Sequence, residues 1–114
     1  MRGRADGFIV PIDYERMRDM RAQYGDVLEQ LIDIFAATTP DSIAELERAR
    51  DAGDADAIRR AAHRFKGACQ NVGAIAMAQL CRDLETEPAL AATGVASLRE
   101  ALEPTLTALR GVAA

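Results

Sequence analysis

The chain has no tryptophan, two cysteines and a single histidine among its 114 residues. Two cysteines, Cys69 and Cys81, cannot build a disulfide framework, so the expected setting is reduced and cytoplasmic. A zinc site needs three or four converging ligands. On a helix, His63 and Cys69, six positions apart, point about 120° away from each other. That spacing disfavours both a metal site and a Cys–His nucleophile pair, and the two cysteines read as small core residues. No stretch approaches the ~18 consecutive apolar residues of a membrane span, and the apolar run in "MRGRADGFIVPIDYERM" is too short for a signal peptide. No glycine-rich loop cradles a phosphate, which leaves a nucleotide site unsupported. Aromatic residues make up only 4%, and no alternating pattern marks a strand.

Good helix formers fill the chain instead, with 49% hydrophobic and 28% charged residues. This composition fits one soluble domain spanning residues 1–114, of a size that buries roughly two-thirds of its unfolded surface. The net charge of −4 argues against a general nucleic-acid binder. The charge is unevenly spread. Between Asp56 and Asp83 no acidic residue occurs, while Arg59, Arg60, Arg64, Lys66 and Arg82 do. That segment carries +5 and the remainder −9. The positive charge surrounds the histidine.

Residues 1–8 read as a frayed start. A short helix follows, capped by Asp13 and ended at Gly25, with Met17, Met20 or Arg21 stems, and Tyr24 on one side. Asp26 and Glu29 form a helix-start pattern. The apolar positions Leu28, Leu31, Ile32, Phe35, Ile43 and Leu46 stay in phase across Pro40, which predicts one long helix bent at the proline. Asp54 caps the next helix, expected over about 55–71. Its seam is Ile58, Ala61 or Ala62, Phe65, Cys69 and Val72. His63 falls on the opposite face with Arg59, Arg60, Lys66, Gly67 and Gln70, because residues three, four and seven apart share a side. Gly73 closes this helix. A fourth segment, from Ala74 to about Glu85, turns Met77, Leu80, Cys81 and Leu84 inward, and Pro88 stops it. Gly94 is expected to precede the last helix, which carries Val95, Leu98, Leu102, Leu106 and Leu109 and a proline at 104. Long amphipathic helices joined by short loops bury their stripes most simply as an all-α antiparallel four-helix bundle.

The carboxylate-rich regions 41–56 and 83–103 read as solvated faces and caps, with no acid–base pair to be inferred. His63 is the group with chemistry to offer. A neutral imidazole near pH 7 is a competent nucleophile. A phosphoryl group on it would bring negative charge, which Lys66 stands one turn away to meet. Gly67 costs helix propensity of roughly 1 kcal/mol relative to alanine. Three explanations stay open for it: free space beside the imidazole for a partner's active site, a tight helix contact, or a glycine that is merely tolerated there.

The segment "AAHRFKGACQNVGAIAMAQLCRDLE", residues 61–85, resembles the histidine-containing phosphotransfer (HPt) domain family. The family pattern is Ala-His, then a hydrophobic residue and Lys-Gly, then Gly-Ala, Cys and Leu-Glu. Here those positions are Ala62-His63, Phe65-Lys66-Gly67, Gly73-Ala74, Cys81 and Leu84-Glu85. The likeness extends over roughly residues 9–111. It implies a four-helix bundle with a short N-terminal helix packed on one end. His63 would accept phosphate from the aspartyl phosphate of one response-regulator receiver domain and pass it to another, as a carrier without kinase activity of its own. Lys66 would assist with the phosphate, Gly67 would leave room, and Glu85 would place a polar group near the histidine. Arg64 and Gln70 would be contact residues. Ala68 departs from the pattern, standing where many relatives carry Ser and removing a local hydroxyl.

The implied partners are receiver domains, with a hybrid histidine kinase as a further one; no nucleic acid or membrane is implied, and the expected state is a monomer. No cofactor is implied for the chain itself, any Mg²⁺ belonging to the receiver. Two other readings are a helical docking module whose His63 is unused and an HPt segment of a larger hybrid kinase. The initial Met and short tail lead to the expectation of a free-standing protein.

Overall fold

In the computed structural model, which describes residues 10–114, the polypeptide forms five α-helices and one short 3₁₀ turn. The frayed start expected for residues 1–8 lies outside the described residues. The helices are α1 (Tyr14–Tyr24), α2 (Asp26–Asp51), α3 (Ala55–Asn71), α4 (Ile75–Thr86) and α5 (Ala91–Ala113), with the 3₁₀ turn at Pro88–Leu90. Helices α2 to α5 form a closed ring of neighbours, each packed on the next and α5 returning to α2. Their short connections make consecutive helices antiparallel.

The helix boundaries follow local chemistry. The Asp13 side chain accepts from the Arg16 N–H and starts α1, and the Asp54 side chain accepts from the Ala57 N–H and starts α3. Each satisfies a donor that the first turn leaves without an intrahelical partner. Gly25 is the residue before α2, so Asp26 and Glu29 lie in its first turn rather than capping it. There their charge complements the helix dipole. α2 continues through Pro40, whose ring is exposed to solvent rather than wedged against a neighbouring helix.

The apolar stripes meet in one cluster. Leu28, Ile32, Phe35, Ile43 and Leu46 of α2 are buried, as are Ile58, Ala61, Ala62, Phe65 and Cys69 of α3. The Phe35 and Phe65 rings stack with centroids 6.3 Å apart. Thr39 joins the same stripe, one turn from both Phe35 and Ile43, and its buried hydroxyl has no hydrogen-bond partner among the described residues. Leu31, Leu80 and Leu106 pack at the margin, only partly covered. An Arg99–Glu47 bidentate pair, at 2.7 and 3.2 Å, ties α5 to α2 on the surface.

Tyr24, the last residue of α1, is exposed, whereas Met17 of the same helix is buried. Two expectations need correction. A 3₁₀ turn, not a plain loop, links α4 to α5, with Pro88 at its first position. α5 starts at Ala91, so Gly94 lies inside it. A Cβ on Gly94 would come within 3.0 Å of Leu84 Cδ2, so the glycine permits close approach of α4 and α5 instead of marking a boundary.

Helix α1 crosses one end of the bundle. The Asp13 N–H donates to the Gly73 carbonyl at 2.9 Å, and Arg16 Nη1 donates to the Gln70 carbonyl at 2.8 Å. Arg21 donates to the carbonyls of Ala113 and Ala114 at 3.1 and 2.7 Å. The first two bonds fix the α3–α4 turn, and the last two satisfy orphan carbonyls at the end of α5. Gly73 has φ +71°, a left-handed conformation natural to glycine. A Cβ there would also strike Met17 Cε at 2.8 Å.

Cys69 and Cys81 are free and fully buried, on adjacent helices. Contact with the Cys81 thiol, and then burial, pushes the Cys69 pKa well above its ordinary value. Both thiols are expected to react slowly with a maleimide or aromatic disulfide in the native protein and rapidly in denaturant, since the thiolate is the nucleophile. Fast native labelling of both would show that they do not lie in the α3–α4 seam.

Candidate functional site

His63 sits in the middle of α3 on the face opposite the buried stripe, with 70% of its side chain exposed. Ala62 and Phe65 on either side of it are buried, so the helix itself is anchored while the imidazole stands in solvent. The expected exposure of His63 is observed.

Glu85, near the end of α4, faces this histidine. Its Oε2 lies 2.8 Å from His63 Nδ1. Its other oxygen forms an ion pair with Lys66 Nζ. Lys66 and Glu85 are only about one-fifth exposed, far less than the histidine they flank. Hydrogen bonding to Lys66 is the main influence holding the Glu85 carboxyl below the ordinary glutamate range, with the His63 hydrogen bond adding to it against a desolvation penalty. A carboxyl with a depressed pKa stabilises the fold above its unfolded value and loses that contribution as pH falls through the lower, folded one. At neutral pH Glu85 is therefore a carboxylate, which can only accept. The proton between Nδ1 and Glu85 must belong to the imidazole. In the neutral ring this leaves the lone pair on Nε2, directed away from Glu85.

A shallow cleft of about 340 Å³ borders the ring, lined by Arg59, Arg60, His63, Arg64 and Glu85. Arg59 Nη1 is paired with Asp56 at 2.7 Å, and Arg64 is paired with Glu45 of α2. Lys66 does not line this cleft; it lies on the Glu85 side. Gln70 is exposed on α3, two turns beyond His63, near the Arg16 contact and outside the cleft. Of the six residues singled out in the sequence, the structure groups His63, Lys66, Gly67, Arg64 and Glu85 and leaves Gln70 apart. Arg59 and Arg60 were visible as same-face cations, but their spacing alone did not separate them from a solvated basic face.

Gly67 lies one turn from His63, and a Cβ built on it meets nothing within 4 Å. The tight-contact explanation for this glycine is thereby removed. The space is open. A larger concavity of about 670 Å³, between α1 and α5, is lined by Tyr14, Arg18, Arg21, Thr107 and Val112 among others, without histidine, cysteine or carboxylate side chains. Among the described residues no three His, Cys, Asp or Glu side chains converge in a way that could hold a metal ion, and none of the described helices is long and apolar enough to cross a membrane.

The Hpt domain family model matches residues 30–112. Among solved structures, the chain is similar to histidine-containing phosphotransfer protein B (HptB) from Pseudomonas aeruginosa PAO1. The two share 24% identity and a TM-score of 0.81, covering 93% of this chain and 96% of that one. It is also similar to the histidine-containing phosphotransfer domain of ArcB from Escherichia coli, at 18% identity and a TM-score of 0.83, covering 90% and 92% respectively. At these identities the likeness shows a shared fold. No curated protein sequence matches the chain.

With free space around Gly67, Gly67→Ala is expected to stabilise the protein by up to about 1 kcal/mol, since alanine is the better helix former. A bulkier Gln at the same position should leave thermal unfolding intact while slowing phosphotransfer from a docked receiver. Destabilisation by Ala, or normal transfer by the Gln variant, would contradict a role in access.

Proposed function

The chain belongs to the Hpt domain family, and from that premise we propose that His63 is the phosphoacceptor of this phosphorelay carrier. Hpt domains are phosphotransfer intermediates that work with receiver domains and histidine kinases. The observation that carries the assignment is the hydrogen bond from His63 Nδ1 to Glu85. It leaves Nε2 as the free nucleophilic atom of an otherwise solvent-exposed ring.

Transfer then runs as an in-line displacement at phosphorus. The Nε2 lone pair forms the N–P bond as the P–O bond of the receiver's aspartyl phosphate breaks. The bonding electrons leave with the aspartate carboxylate. The imidazole gains positive charge as it is phosphorylated, with Nδ1–H still in place, and the Glu85 carboxylate stands against that charge. Return transfer to a second receiver reverses the same steps. Lys66, the chain's only lysine, acts mainly on Glu85 in this scheme: it keeps the carboxylate ionised and oriented, and so acts on His63 at one remove.

This reading gives the chain no resident cofactor and no kinase step of its own, with Mg²⁺ supplied by the receiver. It places the domain in the cytoplasm as a monomer, without a nucleic-acid or membrane partner. Its net charge of −4 and its two reduced, buried cysteines agree with that setting. Receiver-facing contacts are expected from Arg64 and, at the far end of the same helix face, Gln70.

His63→Gln is expected to keep the helical fold, because an exposed side chain contributes little to the core, and to take up no phosphate from a phosphorylated receiver. Mapping of acid-labile phosphate on wild type and variant checks this. Retained phosphorylation in the variant would place the acceptor elsewhere, and labelling of wild type by ATP alone would contradict a pure carrier.

Glu85→Ala removes the acceptor at Nδ1. ¹⁵N NMR of wild type is expected to show the neutral form of the His63 ring protonated at Nδ1. The variant should shift toward a mixture of tautomers and lose transfer rate without losing the fold. An unchanged tautomer balance would separate Glu85 from control of the ring.

A further inference from the structure

Among the described residues four cations surround His63, and three of them are already engaged. Arg59 is held by Asp56, Arg64 by Glu45 and Lys66 by Glu85. Arg60 lines the same cleft and has no carboxylate partner among the described residues. It stands three residues before His63, on the same side of α3, where the two side chains are neighbours. The Nδ1 edge of the imidazole is occupied by Glu85, so a phosphoryl group on Nε2 must project on the other edge, into the space that the arginines border.

We propose that Arg60 is the phosphoryl-binding residue of this domain, pairing its guanidinium with the oxygens of the group carried on His63. The proposal rests on His63 being the acceptor. A phosphoryl dianion reaching Arg59, Arg64 or Lys66 has to compete with an existing ion pair. Reaching Arg60 breaks no ion pair among the described residues. The guanidinium also suits the task by shape, since its planar fork can donate two parallel hydrogen bonds to two phosphoryl oxygens. Lys66 and Arg60 thereby divide the work. One fixes the carboxylate that orients the ring, and the other meets the charge that the ring acquires.

The charged groups facing the phosphoryl in this arrangement are Arg59, Arg60 and Arg64 from α3 and Glu85 from α4, with Lys66 behind Glu85. Removing Arg60, the cation of this group with no carboxylate partner among the described residues, should therefore raise the pKa of the phosphoryl group's second ionisation, because the dianion loses its counter-charge.

The test phosphorylates the intact chain with potassium phosphoramidate, a donor too small to need protein docking, and in parallel with a phosphorylated receiver domain. Wild type, Arg60→Gln, Arg60→Lys and Arg82→Gln are compared. Arg82 lies on α4 outside the cleft, beside Gln79, and its variant controls for the loss of one positive charge. Arg60→Gln should slow phosphorylation by both donors about tenfold, the effect of losing about 1.4 kcal/mol of charge-assisted bonding. ³¹P NMR titration of its phosphohistidine should show the phosphoryl pKa raised by about half a pH unit or more. Arg60→Lys should recover part of both effects, and Arg82→Gln should show neither. Loss confined to the receiver reaction, with an unmoved phosphoryl titration, would make Arg60 a docking residue and overturn the proposal. Equal behaviour of Arg60→Gln and Arg82→Gln would overturn it as well. A wild type that takes phosphate from neither donor would instead defeat the assignment of His63, a distinct failure.

Discussion

One carboxylate organises the face on which this domain works. Glu85 meets His63 Nδ1 with one oxygen and Lys66 with the other, so the ring's tautomer, its orientation and the position of the lysine all depend on it. Glu85 reaches that place only because α4 lies close against α3. Small buried side chains on both helices, Ala61, Ala62 and Cys69 on one and Ala78 and Cys81 on the other, allow the close approach. Bulkier residues in that seam would move the carboxylate away from the imidazole. A shift of even 1 Å at such a site matters, because a charge-assisted hydrogen bond weakens steeply once its geometry is lost.

Helix α3 carries stability and chemistry on opposite faces. Phe65, Ile58 and Cys69 anchor it in the core, with Phe65 stacked on Phe35 of α2. The other face spends helix propensity at Gly67 and leaves the imidazole uncovered. This separation is why changes on the exposed face are expected to alter transfer while sparing the fold. It also sets the electrostatics. A cluster of cations around an exposed histidine would repel itself, and Asp56, Glu45 and Glu85 each neutralise one member. Among the described residues, Arg60 is the cation of this cluster left without such a partner, which makes it the one proposed to meet an incoming anion.

The end of the bundle farther along α3 is held by α1. Its contacts with the Gly73 and Gln70 carbonyls fix the α3–α4 turn, and that turn sets the relative placement of the two helices. Met17, packed beneath Gly73 where a Cβ would collide with it, is part of the same closure. The short helix therefore supports the site without touching it.

Much of this was legible from residue order. Helix periodicity, the caps at Asp13 and Asp54 and the breaks at Gly25 and Gly73 are local, and the exposed placement of His63 follows from the spacing of its own helix. The motif around His63-Arg64-Phe65-Lys66-Gly67 pointed to phosphotransfer by resemblance. Other features had no local signal. Gly94 resembled a helix boundary, yet its lack of a side chain serves contact with Leu84 of another helix. The resemblance placed Glu85 near His63, but the bond to Nδ1 and the second bond to Lys66 join residues 19 to 22 positions apart. Which cations are already neutralised was likewise hidden, since Glu45 and Glu85 come from α2 and α4. A sequence specifies the period and ends of its helices because those depend on near neighbours along the chain. The pairing of charges depends on which helix faces which and at what height, and only the packed bundle decides that.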